Sequence, residues 1–417
     1  MDIAIFIFAL VQFVRKKYHW VFVSIFILVS NWLEIWFGIN AYDSSFPFSH
    51  KTTDTGLILF LIIFGFSIIK FGFYKASIQK VIIYFYIFLL LNGIIDIIDN
   101  VQVGDIIRYC RGWVYLSVIW IDPKIYVQSI DKMLRILLFV ILGTTIIIIW
   151  QNLNGNYTFA QPIDTERGIK PSFYVILFIP ILFFDAIKYS KFSKWLMISI
   201  FLISIIINLK QTYLITVVLT LLSYVFIYQR KQISKLFGYS LLIIVGSLAL
   251  LFTNDKFRDR IEESLTISNS IKYETRDSNA SYRLLHTIER FNYIMENPET
   301  MIRGIGFIHE ESFNKQVFTV GNMNLNTGER SQLDTPDIAW SNFFIRFGLL
   351  GTAVFIIMYI SIVIQLYKNS KGSELSKVFG SFLFICLIFT SFGNAVISYS
   401  YFYIFPLMLI SSIKHNK

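Results

Sequence analysis

Apolar residues fill the chain in long, almost unbroken runs, and the polar residues collect at the joints between them. Runs near the ~20 residues that a helix needs to cross a bilayer read as spanning helices. They predict helices at about 20–37, 56–74, 80–98, 108–121, 134–150, 172–187, 194–209, 212–228, 236–253, 340–366, 378–393 and 396–413. That makes about twelve; residues 2–14 form a short thirteenth span or an interfacial segment, so the count lies between 11 and 13. The long stretch 254–338 is polar throughout, and 38–55, 94–107 and 151–171 are smaller polar joints. The expected architecture is an all-α polytopic integral membrane protein with helices in 1–253, a large loop over 254–338 and helices in 339–417.

Composition agrees with the bilayer as main solvent: 55% of the 417 residues are hydrophobic, 15% are charged, and mean hydropathy is +0.61. A soluble domain carries about 25% charged residues. The basic cluster Arg15, Lys16 and Lys17 follows the first apolar stretch and no small-residue cleavage pattern is present, so the first helix is expected to remain on the chain. Cys110 and Cys386 both fall in apolar runs and read as packing residues.

Charge sets the orientation. Three basic residues stand in each of six alternate joints: 15–17, 70–80, 124–135, 188–194, 230–235 and 368–377. With Lys414 and Lys417 they hold about 20 of the 37 Lys and Arg, which places these joints and the C-terminus in the cytoplasm. The loop 254–338 carries a net charge of −4 and the remaining chain +14, so the basic pI of about 9.3 is a topology signal and implies no nucleic-acid partner. The two halves show no repeat, and the loop has no counterpart in the first half, unlike transporters built from duplicated halves.

Candidate chemistry gathers in the loop. Residues 278–297 read as an amphipathic helix with Leu284, Leu285, Ile288, Phe291, Ile294 and Met295 on one side. Arg283, His286 and Arg290 share the other side, suited to paired hydrogen bonds with phosphate oxygens; the plainer alternative is a solvated charged face paired with Glu289 and Glu296. Next come Arg303-Gly304-Ile305-Gly306, a glycine turn, and His309, Glu310 and Glu311, of which the imidazole can move protons near neutral pH. Asp337 precedes the helix 340–366 as a candidate base or as an acid that favours a helix N-terminus. Arg346 and Lys210 are cations inside or at the edge of apolar runs, where charge is costly unless it faces a polar cavity. Glu34, Asp96, Asp99 and Asp185 are further ionisable residues in apolar runs, with Asp96 and Asp99 expected to be wet.

The run from Ser281-Tyr282-Arg283 through Arg290 and Arg303-Gly304-Ile305-Gly306 to Trp340-Ser341-Asn342-Phe343-Phe344 and Gly348-Leu349-Leu350-Gly351 resembles the bacterial O-antigen polymerase and O-antigen ligase superfamily. Lys210-Gln211-Thr212 looks like that family's segment before the next helix, where Ser-Arg is more usual. Ligases place a His-Asn pair before the helix that follows the loop; Ser341 precedes Asn342 here, which favours a polymerase.

The resemblance implies a GT-C-like membrane glycosyltransferase of the inner membrane, acting at the periplasmic face on undecaprenyl diphosphate-linked oligosaccharide. It implies no metal and no cofactor, and a chain-length regulator and a flippase as companions. On that footing Arg283, Arg290, Arg303 and Lys210 are the expected diphosphate clamp, Asp337 or His309 activates the acceptor hydroxyl, and His286, Arg346 and Arg167 are secondary candidates. The alternatives are a ligase, and a flippase or transporter for lipid-linked oligosaccharide.

Overall fold

The computed structural model describes residues 1–30, 32, 36, 51–76, 78–154, 172–208, 211–229, 280–313, 316–321, 330–333, 338–392 and 396–415. The expected helix 236–253, along with Glu34, Arg167, Lys210 and Asp337, lies outside these residues.

Every regular element among the described residues is helical. The α-helices are α1 Asp2–Val14, α2 Tyr18–Val29, α3 Thr52–Phe71, α4 Gln79–Ile98, α5 Val103–Cys110, α6 Ile130–Asn154, α7 Tyr174–Phe183, α8 Lys191–Ile207, α9 Gln211–Tyr228, α10 Ala280–Glu296, α11 Pro298–Arg303, α12 Ala339–Lys368, α13 Glu374–Ile388 and α14 Ile404–His415. Four helical stretches among the described residues are long and apolar enough to cross a membrane: α3, α4, the run Pro123–Asn154 that ends in α6, and α12. The protein is a helical membrane protein.

Helix α4 shows how such helices pack. Gln79, Ile82, Phe85, Phe88, Leu89, Asn92, Gly93 and Asp96 are buried, at the spacing of a single helical face. Tyr84, Ile87, Leu90, Leu91, Ile94 and Ile97 on the other side are exposed. Both faces are apolar because one meets protein and the other meets lipid. Helix α12 runs antiparallel to α4, with Phe88 against Gly351 and Phe85 near Phe347 and Phe355. Lys70 stands in the last turn of α3 and Lys75 in the joint after it, and α12 ends at Lys368; Arg303 and the turn after it pack at the opposite end of α4 and α12.

Two expected spans take another form. Residues Arg111–Trp120 make a 3-10 helix, joined by the short Ser400–Tyr403 turn before α14, where continuous helices over 108–121 and 396–413 were anticipated. The stretch is rich in β-branched and aromatic side chains, which crowd an α-helix. Non-helical backbone persists at this depth only where protein satisfies it. The Tyr86 hydroxyl donates to the Trp113 carbonyl at 3.0 Å, and the Ser400 hydroxyl donates to the Gly112 carbonyl.

The described residues of the range 280–333 share a small core, made of Ile294, Phe318 and Leu333 together with Ile345 from α12. Pro298 ends α10 and opens α11, where its missing N–H costs nothing. The turn after α11 then wedges between α4 and α12. Gly304, Gly306 and Gly348 all have positive φ, and the N–H of Ile305 donates to the Ile345 carbonyl at 2.8 Å. A Cβ on Gly306 would lie 2.0 Å from Asp96 Oδ1, and one on Gly348 would lie 2.4 Å from the Gly304 nitrogen. At Gly348 the axis of α12 breaks (φ 62°, ψ −164°), which makes the room.

Gly306→Ala is therefore expected to undock the turn, at a cost of roughly 2–4 kcal/mol from strain and overpacking. Thermal unfolding in detergent and a new protease-sensitive site near residue 306 would report it, whereas Gly65→Ala, which meets nothing within 4 Å, is expected to be silent. Equal behaviour of the two variants would contradict the docking.

Candidate functional site

The site lies along the seam between the 280–333 segment and the bundle. Asp96 is fully buried, contrary to the wet position expected for it, because the glycine turn covers it. Its carboxylate accepts from Arg303 Nη1 at 2.8 Å and from the Phe307 N–H at 2.8 Å. Arg303 also pairs with Asp99, half-exposed at the end of α4. Burying a carboxylate costs several kcal/mol, offset only when counter-charge and hydrogen bonds are both supplied. The turn supplies both.

The same turn draws in α5 and α12. The N–H of His309 donates to Asp105 Oδ2 at 3.2 Å, and Phe307 stacks on Tyr109 at 5.1 Å. Arg346, buried two turns into α12, donates to the Ile308 carbonyl and lies 5.0 Å from the Tyr109 ring centre. Arg303, His309 and Arg346 are thus brought to one end of α4, α5 and α12.

A second group forms nearer the start of α12. His286 Nδ1 and Ser341 Oγ are 2.8 Å apart, so the imidazole of α10 meets the Trp340-Ser341-Asn342 stretch. Burial, and then the neighbouring Arg290 charge, holds His286 down to about 3, so it is neutral at physiological pH. Arg283 stands one turn earlier on α10, partly exposed. Ser341 and Arg346 are five residues apart, roughly 7.5 Å at 1.5 Å per residue, which sets the span between the two groups.

Arg290 differs from its expected role as a phosphate ligand. It is completely buried, donating to Glu289 Oε2 at 2.7 Å and to the Gln332 carbonyl at 2.9 Å, with the guanidinium 4.2 Å from the Phe318 ring centre. Burial lowers its pKa to about 10 despite Glu289, and it stays a cation. Its terminal nitrogens are engaged within the segment and hold it together.

Glu289 completes that arrangement by accepting from the Thr319 N–H at 2.7 Å and the Val320 N–H at 3.1 Å. Glu310, a candidate base by sequence, accepts from the N–H groups of Gln332 and Leu333 and is an organising residue. Gln332, unremarked in the sequence, accepts from the Val317 and Phe318 N–H groups at 2.9 and 2.8 Å.

Asn92 was also overlooked. It lies one turn below Asp96, is 2% exposed, and neither atom of its amide has a hydrogen-bond partner among the described residues. A buried amide with both atoms unbonded is a strong demand for a polar group. Its only sequence signal is an Asn-Gly pair inside an apolar helix.

No protein-family model matches the chain, and no curated protein matches it.

The depressed His286 pKa has a testable sign. The unfolded chain takes up a proton near pH 6.5 and the folded one only near 3, so stability falls on acidification across that window, by up to ~1.4 kcal/mol per pH unit. Protease resistance of the 280–333 segment is expected to decline below about pH 6.5, with a shallower slope in His286→Gln. Equal slopes would show that His286 is not buried in neutral form.

Proposed function

We propose that this protein joins undecaprenyl diphosphate-linked oligosaccharide repeat units into a surface polysaccharide at the periplasmic face of the bacterial inner membrane. The observation that carries the reading is the convergence of Arg303, Arg346 and His309 in one seam and of Arg283 and His286 in the next, beside the membrane end of a folded polar segment. In this reading about twelve spans surround the site, in a GT-C-like arrangement with the C-terminus cytoplasmic.

In the proposed step the bond between the anomeric carbon of the growing chain and its lipid diphosphate breaks. A new glycosidic bond forms to a hydroxyl of the incoming unit, its proton passes to His309 or Asp337, and undecaprenyl diphosphate leaves with the bonding electrons. Fixed cations stabilise the charge that develops on the leaving group. Arg283 and Lys210 are assigned to direct phosphate contact, with Arg303 and Arg346 at the deeper end. Arg290 supports them by holding the segment folded, and Asn92 offers its amide to a sugar hydroxyl or a water. Ser341, whose place before Asn342 favours a polymerase over a ligase by sequence, lies 2.8 Å from His286.

The test is purified protein in vesicles with a synthetic undecaprenyl diphosphate-linked repeat unit, in the presence of a metal chelator. A ladder of lengthened products is expected from the wild type. Arg283→Gln and Lys210→Gln should each lower the rate by about a hundredfold with the fold intact, the scale of losing one charge-stabilising contact. Arg290→Ala should abolish long product and also expose the 280–333 segment to protease. Translocation of intact repeat units with no new glycosidic bond would replace this reading with a flippase.

A further inference from the structure

Helix α10 is amphipathic, yet it turns much of its polar side to the protein, with Asn292 and Glu296 left exposed. His286, Thr287 and Arg290 are buried, whereas Leu284, Leu285, Ile288 and Met295, with Ile302 of α11, are 37% to 56% exposed. Five apolar side chains at helical spacing, left bare beside a membrane bundle, call for a covering phase.

The surroundings identify it. The carbonyl of Ile302 would lie 2.5 Å from a Cβ on Gly348, so Ile302 is level with the kink of α12; Leu350, just beyond it, is 52% exposed on that spanning helix. Arg303 ties the same level to the last turn of α4, whose Ile94, Ile97 and Ile98 are exposed. On α5, Val103 and Ile107 are exposed as well. The bare faces of α10 and α11 therefore continue the lipid-facing belt of the spanning helices.

We infer that α10 and α11 are seated in the bilayer interface, with the Leu284-to-Ile302 face in the boundary between headgroups and acyl chains. The contacts of His286 with Ser341 and Phe291 with Phe344, and the apolar cluster that Ile294 shares with Ile345, show α10 descending obliquely along α12. Ile302 is accordingly the deepest of the exposed positions and Leu284 the shallowest. His286 and Arg290 of α10 are buried and its bare side chains are chiefly apolar, so the attachment does not depend on anionic lipid. It holds whatever reaction the site performs.

Nitroxide labels at positions 284, 288, 295 and 302, introduced one at a time after Cys110→Ser and Cys386→Ser, test this in phosphatidylcholine vesicles with and without phosphatidylglycerol. The expected result is collision with oxygen favoured over a water-soluble nickel chelate at all four sites. The preference should rise from 284 to 302, be unchanged by the anionic lipid, and reverse at exposed Gln316. Preference for nickel at the four sites would show a water-facing helix. Exclusion of both probes would show a protein cover, from residues 231–279 or a second copy. Either result would overturn the inference.

Discussion

A carboxylate buried at the end of an apolar helix is the constraint on which the rest depends. Asp96 is sheltered from water and sits where lipid or protein would otherwise surround it. Arg303 and the Phe307 N–H neutralise and bond it, and both belong to a turn separated from it by about two hundred residues. The turn reaches Asp96 only because Gly304, Gly306 and Gly348 permit backbone to pack on backbone. The polar segment is thereby locked to the bundle at a defined depth, and its functional side chains are fixed relative to α4 and α12.

That lock explains the division of labour among the cations. Arg303 neutralises Asp96 and Asp99, and Arg290 organises the segment through Glu289, Gln332 and Phe318. Both guanidiniums stay charged, but the carboxylates beside them offset that charge within the seam. An interfacial α10 would hold that seam at the headgroup level, where the phosphates of the proposed lipid-linked substrate would lie.

Much of the helical layout was legible. The expected helices 80–98 and 340–366 match α4 and α12 to within two residues, and the expected loop helix 278–297 became α10. Apolar run length is enough for this. The faces were not legible, because lipid and protein core both select apolar side chains, and in α4 only Gln79, Asn92 and Asp96 mark the inner side. The same ambiguity hid the orientation of α10, whose apolar stripe suits a protein core as well as a bilayer. The 3-10 stretch Arg111–Trp120 was read as a span because its composition is that of one; its backbone depends on Tyr86 and Ser400, which are distant in sequence. Arg303-Gly304-Ile305-Gly306 was a weak motif as letters, and only the three-dimensional approach of Asp96 gives it meaning. Glu289, which reads as part of a solvated charged face, Glu310 beside His309 and Gln332, which no motif marks, form the scaffold of the segment.

The central claim is that the turn carrying Arg303 is bonded into the membrane bundle, with its Ile305 and Phe307 amides donating to the Ile345 carbonyl and to Asp96. Amide hydrogen exchange of peptides spanning 303–309, in the membrane-embedded protein, measures this directly. Protection comparable to that of α12 is the result that follows from the account. Exchange as rapid as that of an unstructured chain would contradict it.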